Sequence, residues 1–145
     1  PHPEESSYEY ERILWEEDLL GAAISTHVPL YTLLSASDIV FTSVSTTGSE
    51  AVLFNKPLIC INLTGIPYYP RYDEYGVAVL VEREENIVTA IETVLHDEQT
   101  RRALEIARKR FQRLYTVELG RSSKCFVNAI RQAISMPRNN LVNHR

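Results

Sequence analysis

The stretch Asp38-Ile39-Val40-Phe41-Thr42-Ser43-Val44-Ser45-Thr46-Thr47-Gly48-Ser49-Glu50-Ala51-Val52-Leu53-Phe54-Asn55-Lys56-Pro57-Leu58-Ile59-Cys60-Ile61-Asn62 decides the fold. Within its opening, Asp38 to Ser43, the β-branched and aromatic residues Ile39 to Thr42 form a continuous run. A strand with one wet face alternates, so such a run predicts a strand buried on both faces. Thr46 to Lys56 has helix composition and ends on Asn55-Lys56-Pro57. Asn can close a helix and Pro cannot continue one. Leu58 to Asn62 is a second apolar run. Strand, helix and strand in that order form a βαβ unit, and its strands pair in parallel.

Working outward, Val77 to Val81 after Gly76 predicts another buried strand, and Ala22 to Thr26 a weaker one. Pro29 suits a first helical turn, and Leu30, Leu33 and Leu34 give that short helix one buried face. Glu4 to Leu20 predicts an acidic helix with Tyr8, Ile13, Leu14 and Leu20 turned inward. From Arg83 onward the spacing is helical. Ile87, Val88, Ile91, Val94 and Leu95 form one stripe, Leu104, Ala107, Phe111 and Leu114 a second, and Phe126, Val127, Ile130 and Ile134 a third on a helix from about Arg121 to Ser135. The expectation is an α/β domain over residues 1–136, a three-layer Rossmann-like parallel sheet of about four strands with C-terminal helices. A polar tail over 137–145 follows. Sheets of this kind often have about six strands, so one or two are expected before Pro1; without them a sheet edge stands unprotected. The first residue is not Met, so the chain reads as a processed product or a piece.

Composition narrows the function classes. The chain has 145 residues, 44% of them apolar and 23% charged, which fits one globular domain and excludes a disordered or fibrous chain. No apolar run approaches the roughly 18 residues of a transmembrane helix. The net charge of −4 argues against nucleic acid, because neutralising phosphates needs a basic surface. Cys60 and Cys125 show no metal-ligand spacing. Both are expected as reduced thiols in the cytoplasm, with Cys60 a small hydrophobe inside its apolar run.

Thr42 to Glu50 carries the chemistry. It lies where a strand ends and a helix begins, the position at which open α/β sheets bind ligands. Two readings are open. Thr47 and Glu50 match a capping box, in which each side chain accepts from the other's backbone N–H. Alternatively, hydroxyls and unpaired N–H groups at the helix start hold an anion, with Gly48 allowing close approach. The segment lacks the Gly-Lys-Ser/Thr of a Walker loop and the G-x-G-x-x-G of a dinucleotide turn, against an NTPase or a dehydrogenase.

The run from Tyr31 to Asn62 resembles the C-terminal, donor-binding half of GT-B glycosyltransferases. The matching pieces are Tyr-x-Leu-Leu-x-x-x-Asp-Ile-Val-x-Thr-Ser, then Ser-Thr-Thr-Gly-Ser-Glu-Ala, then Asn-Lys-Pro-Leu-Ile. It is most similar to UDP-N-acetylglucosamine 2-epimerases and bacterial lipid-linked N-acetylglucosaminyltransferases. Pro1-His2-Pro3, Leu95 to Leu104 and Gly120-Arg121-Ser122-Ser123 extend the resemblance. It implies that Ser45, Thr46, Thr47 and Gly48 hold the donor diphosphate and that Glu50, directly before Ala51, binds the ribose hydroxyls. It implies a role in cell-surface polysaccharide biosynthesis, a nucleotide-sugar ligand, no further cofactor, and a second Rossmann-like half supplied upstream or by another chain. That half would bring the acceptor site and the general base, so no catalytic residue is assigned and the chain alone should not turn over. The epimerases carry a Gly-Gly pair where this chain has one glycine, which favours the transferases. An epimerase half and a noncatalytic interaction domain are the alternatives.

Four further residues and clusters are singled out. His2 and His27 resemble cleft-lining positions of the family. Arg71, in the tyrosine- and proline-rich loop Gly65 to Tyr75, is a candidate anion contact. Arg108-Lys109-Arg110 with Arg113 reads as a solvated helix face. No Asp-x-Asp pair stands at a strand end, so a metal is not expected.

Overall fold

The computed structural model describes residues 6–43, 45–115 and 120–135. In chain order these form α1 (Ser7–Glu16), α2 (Leu30–Ala36), β1 (Val40–Thr42), α3 (Thr47–Leu53), β2 (Leu58–Ile61), β3 (Val79–Val81), a 3₁₀ turn (Glu84–Asn86), α4 (Ile87–His96), α5 (Glu98–Tyr115) and α6 (Ser122–Ser135). The three strands form one parallel sheet in the order β1-β2-β3. Val40 pairs with Leu58 and Ile59 with Val79. The fold is α/β. Among the described residues the sheet has three strands, because Ala22 to Thr26 carries no strand pairing. Those small residues have few large side chains with which to cover a sheet face.

Alternation along β2 shows why its run is continuously apolar. Leu58 and Cys60 point into a core with Leu34, Ala51, Val52, Tyr72, Val77 and Phe111. Ile59 points into a second core with Val81, Ala90, Val94 and Leu104. Successive side chains of a strand face opposite ways, so both faces are covered at β2. Strand β1, expected to be buried on both faces, leaves Phe41 exposed, because it has a strand on one side only among the described residues. Helix α3 lies against β1, β2 and α5, while α4 lies against β2, β3 and α5. Leu58 and Ile59 are fully buried, worth roughly 1.5–3 kcal/mol each in transfer free energy.

The end of α3 forms as its sequence predicts. Asn55 has φ +56°, its N–H bonds to the Val52 carbonyl, and the Lys56 N–H bonds to the Ala51 carbonyl. This is the paired closure that a left-handed residue permits at a helix end, and Pro57 then leads into β2 at Leu58.

Several inward faces need correction. Helices α1 and α6 bury no residue among those described. Tyr8, Ile13 and Leu20 of the first segment are exposed, and so are Phe126, Val127, Ile130 and Ile134 of the last. Val88, Leu114, Leu30 and Leu33 also face solvent, leaving Val94, Leu104, Phe111 and Leu34 as the buried members of their stripes. Helical spacing fixes which residues share a face; it does not supply a surface for that face to meet. The tail over 137–145 and His2 lie outside the described residues.

Candidate functional site

The turn from β1 into α3 stands at the carboxyl end of the sheet. Thr46 precedes the helix, so Thr47 is its first residue, not its cap. The capping box therefore does not form. The Thr47 N–H donates to Ser45 Oγ at 3.2 Å, and the Glu50 carboxylate accepts instead from the Tyr31 hydroxyl at 3.3 Å. Tyr31 is held by stacking on Phe54, with ring centroids 5.6 Å apart.

Ser45 also donates its hydroxyl to Thr47 Oγ1 at 3.0 Å. The Thr47 hydroxyl has then accepted one bond and still carries its own proton, which meets no acceptor among the described residues. Thr46 is exposed and makes no side-chain cap bond. Two hydroxyl donors thus remain at the mouth of the turn. Thr47 and Glu50 are three residues apart and share one helix face, so these donors stand beside a carboxylate.

Beneath the turn is a residue that sequence reading passed over. Tyr72, in the loop between β2 and β3, is fully buried. Its hydroxyl donates to the Ser45 carbonyl at 3.0 Å and accepts from the Ser49 N–H at 3.0 Å, with Ser49 Oγ also 3.0 Å away. Its ring occupies the space where Gly48 would carry a side chain. A Cβ at position 48 would lie 2.4 Å from Tyr72 Cε2 and 2.7 Å from Cζ. Gly48 therefore has a packing reason independent of any ligand. Position 72 is one of several tyrosines in its loop, and no pattern in the sequence separates it from the others.

Arg71 is part of a clamp. Its Nε and Nη2 donate to Asp73 Oδ1 and Oδ2 at 2.9 and 2.6 Å, and Nη1 pairs with Glu74 at 3.2 Å. The guanidinium also lies 5.2 Å over the Tyr68 ring. Tyr68 donates its hydroxyl to Asp73 at 2.7 Å. Hydrogen bonding from Arg71, stronger than the opposing burial, holds the Asp73 carboxyl down at about 2. Burial and the bond to Asp73 raise the Tyr68 phenol. Two carboxylates already balance Arg71, so it organises the loop and has little charge left for an anion. Cys60 lies below, where burial and then the Asp73 carboxylate push its thiol up to about 12. At neutral pH it is protonated and inert. Both cysteines are free.

Ser45, Thr46, Thr47, Gly48 and Glu50 are thus brought together, and Tyr72 joins their turn to the Arg71 loop. His27 stands exposed before α2, and its side chain makes no hydrogen bond or ion pair among the described residues. In the basic stretch, Lys109, Arg110 and Arg113 face solvent as predicted, but Arg108 is buried. Among the described residues no three His, Cys, Asp or Glu side chains gather as a metal site. None of their helices is long and apolar enough to cross a membrane. Neither a family model, a curated protein nor a solved structure matches the chain.

Proposed function

We propose that this chain binds a nucleotide-diphosphate sugar, a UDP-sugar, as the donor half of a GT-B-type glycosyltransferase. The observation that carries the reading is the pair of unspent hydroxyls on Thr46 and Thr47 beside the half-buried Glu50, at the carboxyl end of a parallel sheet. In this proposal the hydroxyls donate to the diphosphate, and Ser45 holds Thr47 with its proton turned outward. Glu50 accepts from the ribose hydroxyls; a charge-assisted bond of that kind is worth about 1.5–3 kcal/mol. Gly48 admits Tyr72, which fixes the turn from below.

The proposal extends to the wider architecture. A fuller Rossmann-like sheet would continue beyond β1, which has one neighbour among the described residues. A second half would supply the acceptor site and the base, in the cytoplasm where the two thiols stay reduced. Calorimetry is the test. UDP and UDP-sugars should bind better than ADP or NAD, and the chain alone should neither transfer the sugar nor hydrolyse or epimerise UDP-N-acetylglucosamine. NAD binding equal to or tighter than UDP binding overturns the reading.

A further inference from the structure

At the amino end of β2, opposite the hydroxyl turn, the surface holds a cavity of about 480 Å³. Asn55 and Pro57 form one wall, and α5 the other with Glu98, Arg101, Arg102 and Arg108. Arg108 is only 6% exposed. Its Nε donates to the neutral Asn55 Oδ1 at 2.9 Å, while Nη1 is buried with no partner among the described residues. A buried cation is ordinarily paired with an anion, because its lost hydration must be replaced.

The nearby carboxylates make no direct contact with it. Glu98 pairs with Arg102, and Glu105, which lines the same cavity, pairs with Lys109 at 2.6 Å and reaches Arg108 only through its charge. Arg101 also lines the cavity, and its side chain has no acidic partner among the described residues. Three arginines and two carboxylates therefore line one space, and neither Arg101 nor Arg108 has a carboxylate in direct contact, while the Asn55 amide N–H groups stand beside them. Burial lowers the proton affinity of Arg108, yet an arginine stays charged at neutral pH.

We propose that this cavity is a second binding site, for a phosphate-bearing ligand held by Arg108, Arg101 and the Asn55 amide. The planar fork of an arginine matches the oxygens of a phosphate, and an anion here would supply the compensation that Arg108 lacks. A cavity of this volume suits a small molecule or a single lipid headgroup. Asn55 would then serve twice, closing α3 through its backbone and bridging to the ligand through its side chain.

The test uses the whole chain, titrated with inorganic phosphate against chloride at equal ionic strength and followed by thermal unfolding and phosphorus NMR. The wild type should be stabilised by phosphate. Arg101→Gln, at an exposed position that the fold does not need, should weaken phosphate binding about tenfold. Arg108→Gln should abolish it, and Arg108→Lys, which keeps the charge, guards against simple misfolding. Arg131→Gln, at an exposed position on α6 that does not line the cavity, should leave the phosphate response unchanged. A parallel arm with phosphatidate vesicles against phosphatidylcholine vesicles separates the sources. Vesicle binding that Arg101→Gln removes assigns a headgroup; phosphate binding without it assigns a free ligand. No response to phosphate beyond chloride, undiminished binding by Arg101→Gln, or loss of binding in Arg131→Gln overturns the proposal.

Discussion

The two ends of the sheet solve opposite problems. At the carboxyl end the polar groups of the β1–α3 turn are tied together, with Ser45 bonded to Thr47 and Tyr72 bonded to Ser45 and Ser49. What remains there is a pair of hydroxyls and a carboxylate on a braced surface. At the amino end a full positive charge is buried with one neutral hydrogen-bond partner. The first end is prepared and nearly satisfied; the second is unsatisfied. The difference teaches that a polar-rich segment is not where uncompensated polarity must sit. That depends on which side chains the packing removes from water.

The comparison breaks hardest at the brace. Gly48→Ala places a methyl group inside contact distance of a ring that three hydrogen-bonding partners hold in place. A loss of about 3 kcal/mol is expected in denaturant melts, in the range of overpacked cores. The phosphate response of the Arg108 cavity should survive wherever the variant folds. A loss below about 1 kcal/mol would mean that the Tyr72 ring yields and the carboxyl end is not rigidly built.

A smaller effect comes from the Arg71 clamp. The Asp73 carboxyl is held at about 2 in the folded chain, against an ordinary value of 3.8. Its contribution is therefore present above pH 4 and is lost as pH falls through about 2. Discounted for the partly exposed Arg71, the wild type should lose about 1 kcal/mol more than Asp73→Asn over that window. Parallel acid curves for the two proteins would show the clamp to be slack.

The sheet was legible because β2 has both faces buried, so Leu58 to Ile61 reads as apolar without a break. The end of α3 was legible because Asn55 and Pro57 act locally. The hydroxyl turn was also plain in Ser45, Thr46 and Thr47. Tyr72 was not, because the bonds it makes join positions 23 and 27 residues apart and local sequence carries no sign of them. Arg108 was misread for a related reason. Its neighbours alternate charged and apolar like any outer helix face, yet Asn55 covers it from 53 residues away. The stripes on α1 and α6 failed differently: their spacing is helical, but no described element lies over them.

Glu50 decides the central claim. Glu50→Gln keeps an oxygen for the Tyr31 hydroxyl and, with no capping box to lose, should leave the melting temperature within a degree or so. It removes the charge that would accept from a ribose. Calorimetry with UDP should show affinity about tenfold lower in the variant, the effect of roughly 1.4 kcal/mol. Equal UDP affinity in the two proteins, or no UDP binding by the wild type, would contradict the account.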